Sequence, residues 1–74
     1  MSTIRLGSRE LTLKESHQGV ELTLFRVTSK TTSLGSPILE KVALFQSPRP
    51  INEVREDILC WLRLNGGEGF SKLI

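Results

Sequence analysis

The tetrapeptide Glu-Leu-Thr-Leu occurs twice, at Glu10–Leu13 and at Glu21–Leu24, with Lys-Glu-Ser-His-Gln-Gly-Val between the copies. That spacing fits a hairpin. A loop of Ser16, His17, Gln18 and Gly19 puts a glycine last, where a left-handed backbone is commonly required. The legs then pair Glu15 with Val20, Leu13 with Leu22 and Leu11 with Leu24. Side chains alternate along a strand, so all four leucines share one face and Thr12 and Thr23 share the other. A slip of one residue would set Leu13 against Thr23 and destroy the apolar face, so burial fixes the register. Copies this short are two legs of one hairpin, not units of a repeat architecture.

The flanks extend the sheet. Ahead of the hairpin, Gly7-Ser8 suits a two-residue turn that would start a short strand at Ile4 and Leu6. The alternative is one strand over residues 3–13 with a bulge at Gly7. Behind it, Phe25 and Val27 leave the leucine phase. Either a bulge shifts that phase or the second face of the sheet is also partly covered. Residues 28–37, rich in Ser, Thr, Gly and Pro, read as a long loop. Residues 38–46 read as another strand with apolar residues in both phases: Ile38, Val42 and Leu44 in one, Leu39, Ala43 and Phe45 in the other. A strand apolar on both faces belongs at the centre of a sheet or at an interface.

Pro48 and Pro50 end that strand, and Pro50 suits a first helical turn. At about 100° per residue, Ile51, Val54, Ile58, Trp61 and Leu62 gather on one stripe. Glu53, Glu56 and Asp57 come early and Arg63 late, as the helix dipole favours. Asn65-Gly66-Gly67 is a stop signal. The expectation is a helix over about residues 50–65, followed by an apolar tail over 68–74 carrying Phe70, Leu73 and Ile74. The predicted fold is α+β: one small domain over residues 1–74, with an antiparallel sheet of three to four strands over about 3–46 and one C-terminal helix packed on the leucine face, in the order β-β-β-α.

Composition narrows function mostly by exclusion. A chain of 74 residues buries only about 60% of its unfolded surface, so outside support would help it. The single cysteine, Cys60, forms no internal disulfide, and with the single histidine, His17, it cannot complete a zinc site. Self-association or a partner subunit remains as support, beside tight packing alone. The first residues lack the apolar core of a signal peptide, and no apolar run is long enough to span a membrane. A cytoplasmic location is expected from these features and the lone cysteine.

The chemical inventory is sparse. The glycines of Asn-Gly-Gly-Glu-Gly follow a helix, whereas a phosphate cradle needs them before one. His17 falls in a turn and Asp57 on the outer face of the helix, so neither supplies a catalytic base with an orienting partner. Neither a cofactor nor a metal is expected, no small-molecule substrate is evident, and the chain reads as a non-enzyme. Cys60 and Leu64 fall opposite the main stripe and Trp61 at its border, so Cys60–Leu64 is apolar nearly all round. A helix of that kind is usually covered. Either the tail folds Phe70 or Leu73 over Leu64, or another chain does. Trp is enriched at interface hot spots, which favours a partner. The expected function is a protein-interaction module (subunit, adaptor or inhibitor) that binds another protein or itself, with Cys60, Trp61, Leu64 and Phe70 as contacts. The alternative is a nucleic-acid-binding regulator, with Arg26, Lys30 and Arg49 forming a basic edge beside the long loop.

Overall fold

The computed structural model describes Ser2–Ile74, the side chain of Leu73 excepted. Four strands form an antiparallel meander in the order β1-β2-β3-β4: β1 (Ser2–Leu6), β2 (Arg9–Ser16), β3 (Gly19–Thr31) and β4 (Pro37–Ser47). A 3-10 turn (Ile51–Glu53), helix α1 (Arg55–Leu64) and a second 3-10 segment (Glu68–Leu73) follow. This is the expected α+β sheet with one C-terminal helix.

The repeated tetrapeptides pair as their spacing predicts. Leu11 faces Leu24, Leu13 faces Leu22 and Glu15 faces Val20. The turn is tighter than the four-residue loop of the sequence reading, because Ser16 and Gly19 also pair and only His17 and Gln18 remain between the strands. Gly19 sits at φ +131° against the end of β4, where a Cβ would collide with the Ser47 carbonyl oxygen and lie 2.8 Å from the Pro48 Cα. A glycine is needed there both for the backbone angle and for the close approach. Ahead of this hairpin, Leu6 pairs with Arg9 around Gly7-Ser8, so the first two strands are a hairpin and not one bulged strand. Gly7 has φ +60° and Ser8 does not have a positive φ, the pattern of a II′ turn.

Residues 28–37 are corrected from a ten-residue loop to a β-arm. β3 runs on to Thr31 and β4 begins at Pro37, leaving only residues 32–36 as the tip. Threonines favour extended backbone as readily as loops, and the tip is self-bonded. The Thr32 N–H donates to the Ser36 carbonyl at 2.8 Å, and the Thr32 hydroxyl accepts from the N–H groups of Leu34 and Ser36. The arm projects beyond β1 and β2, whose ladder on β3 ends at Arg26.

β3 carries no bulge at Phe25: its register with β2 runs unbroken to Arg26, so Phe25 and Val27 fall on the face opposite Leu22 and Leu24 and are half-buried there, which is the partly covered second face of the two alternatives. Leu24 pairs with Ala43, yet Phe25 pairs with Lys41, so Val42 is an extra residue in β4. This bulge shifts the phase of β4, so Leu39, expected on the face of Ala43 and Phe45, instead shares the face of Leu44.

The core is one cluster of Leu11, Val20, Leu22, Leu24, Val54, Ile58, Leu62 and Phe70. The helical stripe supplies Val54, Ile58 and Leu62 as buried residues, with Ile51 and Trp61 packed at the margin. The continuous helix expected over 50–65 is broken at Val54, which lies at φ −114°, ψ 14°, between a 3-10 turn and α1. Val54 is 5% exposed, so its side chain stays in the core despite the break. At the other end Gly66 takes φ +76° and the Gly67 N–H donates to the Leu62 carbonyl at 2.7 Å, which closes the helix as its sequence foretold.

Candidate interaction surface

The hydrogen-bonding direction of each strand follows from the turns. The two-residue turn between β2 and β3 closes on Ser16 and Gly19, and hydrogen-bonded pairs then alternate along the ladder. Glu21, Thr23 and Phe25 therefore aim their backbone groups at β2, and Val20, Leu22 and Leu24 aim theirs at β4. Val27 conforms, donating to the Ser8 carbonyl at 2.7 Å. The partners of Val20, Leu22 and Leu24 on β4 are Ser47, Phe45 and Ala43. These three point inward. Leu44 and Gln46 carry their N–H and C=O groups on the open edge.

β4 is thus an edge strand of 11 residues. Its apolar side chains are only partly covered: Ile38, Val42 and Leu44 are each about 40% exposed. On the face away from α1, Leu44 continues into half-buried Phe25, Val27 and Leu39. On the opposite face Phe45 stacks on Trp61, with ring centroids 5.9 Å apart and planes at 53°. A long, apolar, open edge is a template for another chain. The flanking Pro37 and Pro48 and the bulge at Val42 limit how far such a ladder could run.

The structure divides the residues singled out from sequence. Cys60 is exposed, and Leu64, one turn on, is 79% exposed. Trp61 is half-buried against Phe45 and the core. Phe70 is a correction: at 1% exposure it is core, held there by the 3-10 tail, and is closed to a partner. It does not cover Leu64, as that exposure shows. The suggestion that Leu73 covers Leu64 falls on a side chain outside the described residues. The surface that sequence reasoning missed is the β4 edge. Its signal was present in the two apolar phases of residues 38–46, but sequence alone did not tell a central strand from an edge.

The basic edge is also corrected. Arg26 is paired with Glu40 across β3 and β4. Lys30 lies on the arm, while Arg49 follows the opposite end of β4. A strand of that length separates them by roughly 30 Å at about 3.3 Å per residue. The three cations form no shared patch. Nearby cations are likewise laced with acids: Arg5 bonds Glu10 at 3.1 Å and Lys14 stands opposite Glu21.

A shallow cleft of about 570 Å³ opens at the β2–β3 turn beside Gln46, Ser47 and Pro48, with Lys14, Glu15 and Glu21 on its rim. Among the described residues no group of three or more His, Cys, Asp or Glu is placed to hold a metal ion, and no helix is long and apolar enough to cross a membrane. No family model, curated protein or solved structure matches the chain.

Proposed function

We propose that the protein is a non-enzymatic interaction module that binds another protein chain along β4. The observation that carries this reading is the open edge itself. Leu44 and Gln46 present unpaired backbone groups, flanked by exposed Val42 and Leu44 side chains on a strand of 11 residues. Main-chain hydrogen bonds would supply affinity and the alternating side chains specificity. Exposed Cys60 and Leu64 on α1 form a smaller, separate apolar spot. The single exposed cysteine suits a reducing, cytoplasmic setting.

The test is site-specific photo-crosslinking of the full chain in cells. A photoreactive residue at Leu44 should give discrete protein adducts that one at Asp57, on the exposed side of α1, does not give. Equal adduct patterns from the two positions, or none from Leu44, would remove β4 as the binding edge.

A further inference from the structure

We propose that the chain bound by β4 is a second copy of this protein, joined edge to edge and antiparallel about a two-fold axis at Phe45. This rests on the reading of β4 as a binding edge and names its occupant.

The backbone sets the register. In a continuous sheet built on a two-fold perpendicular to it, facing residues must both aim their hydrogen-bonding groups across the new seam. Only Leu44 and Gln46 do so in the regular part of β4, Ala43–Ser47. An axis at Phe45 places each Leu44 opposite Gln46 of the other copy, so every outward group of the segment finds a partner. An axis at Leu44 would instead send Gln46 against the bulge at Val42, where the ladder is irregular. The Phe45 axis also needs no residue beyond Pro48, which ends the strand.

Side chains favour the same arrangement. The segment Ala-Leu-Phe-Gln-Ser carries no charge, so within it two identical edges meet without like-charge repulsion, and the Lys41 and Arg49 of opposite copies that this register sets toward each other lie beyond the bulge and beyond Pro48. Phe45 would face its own copy in a close, non-hydrogen-bonded pair and extend the Phe45–Trp61 stack across the axis.

The experiment is sedimentation equilibrium on the purified chain over a wide concentration range. The mass should rise from 8.3 kDa toward twice that value. Gln46→Pro removes an outward N–H and no ladder bond within the chain, so it should stay folded by circular dichroism and stay monomeric. Leu44→Lys should do the same. Register is read by oxidising cysteine variants in a Cys60→Ser background. A mixture of Leu44→Cys and Gln46→Cys chains should form the mixed disulfide, because facing Cα atoms lie about 5.5 Å apart. Leu44→Cys alone should not, its copies standing diagonally about 7–8 Å apart. A wild-type chain that stays monomeric throughout, or a Gln46→Pro chain that dimerises like wild type, would overturn the proposal. Disulfides of Leu44→Cys with itself would overturn the Phe45 axis. If the purified chain is monomeric while Leu44 crosslinks a different protein in cells, self-pairing fails and the interaction reading stands. If Leu44 crosslinks nothing, both fall.

Discussion

Phe70→Ala tests how the tail supports the fold. Phe70 is 1% exposed and shares a cluster with Leu22, Leu24, Ile58 and Leu62. Truncating a buried phenylalanine removes its transfer energy and leaves a cavity, about 3–5 kcal/mol together. At 0.05–0.15 kcal/mol per residue, a chain of 74 residues has about 4–11 kcal/mol of stability in all. The substitution should therefore remove between a quarter and all of it. Urea unfolding followed by circular dichroism reads this directly. If the slope is unchanged, the midpoint falls in proportion to stability. Leu64→Ala, at 79% exposure one helix turn from the core, is the control and should cost less than about 0.5 kcal/mol. A midpoint that drops by less than a tenth in Phe70→Ala would mean the tail does not pack where described, and the account of the core would be wrong.

Other substitutions probe single features. Gly19→Ala should cost about 3 kcal/mol or more, since it adds a backbone collision with Ser47 to a strained φ. Gly7→Ala, with open space around its Cβ, should cost only the strain, about 1–2 kcal/mol, and thermal unfolding would separate the two. Arg26→Ala should change stability by less than about 1 kcal/mol, because both members of its pair with Glu40 are 56% exposed, and less still in high salt. A double-mutant cycle on Phe45 and Trp61 should return a coupling of about 0.5–1.5 kcal/mol by urea unfolding, whereas no coupling would mean the rings do not stack.

The most local signals were the most legible. Identical tetrapeptides fixed the central register because Leu11, Leu13, Leu22 and Leu24 have only one way to share a buried face. The helix stop at Asn65-Gly66-Gly67 was readable because a left-handed residue there needs no tertiary help. The arm was not legible, since Ser and Thr serve loops and strands alike and only pairing between Thr31 and Pro37 decides the matter. The break at Val54 and the burial of Phe70 depend on core shape, which helical periodicity does not encode. The basic edge failed for a geometric reason: Lys30 on the arm and Arg49 past Ser47 lie toward opposite ends of β4, which is extended and holds them apart, and Arg26 is paired with Glu40 between them. The β4 edge was half visible. Two apolar phases marked the strand, but its place at the margin follows from a meander that ends there.

Amide exchange along β4 tests the central claim most directly. In dilute solution the N–H groups of Ala43, Phe45 and Ser47, bonded to β3, should exchange slowly, and those of Leu44 and Gln46 should exchange fast. As concentration rises, Leu44 and Gln46 should become protected together. Slow exchange at both positions in dilute solution, or fast exchange at both in concentrated solution, would contradict an open edge that closes on a second copy.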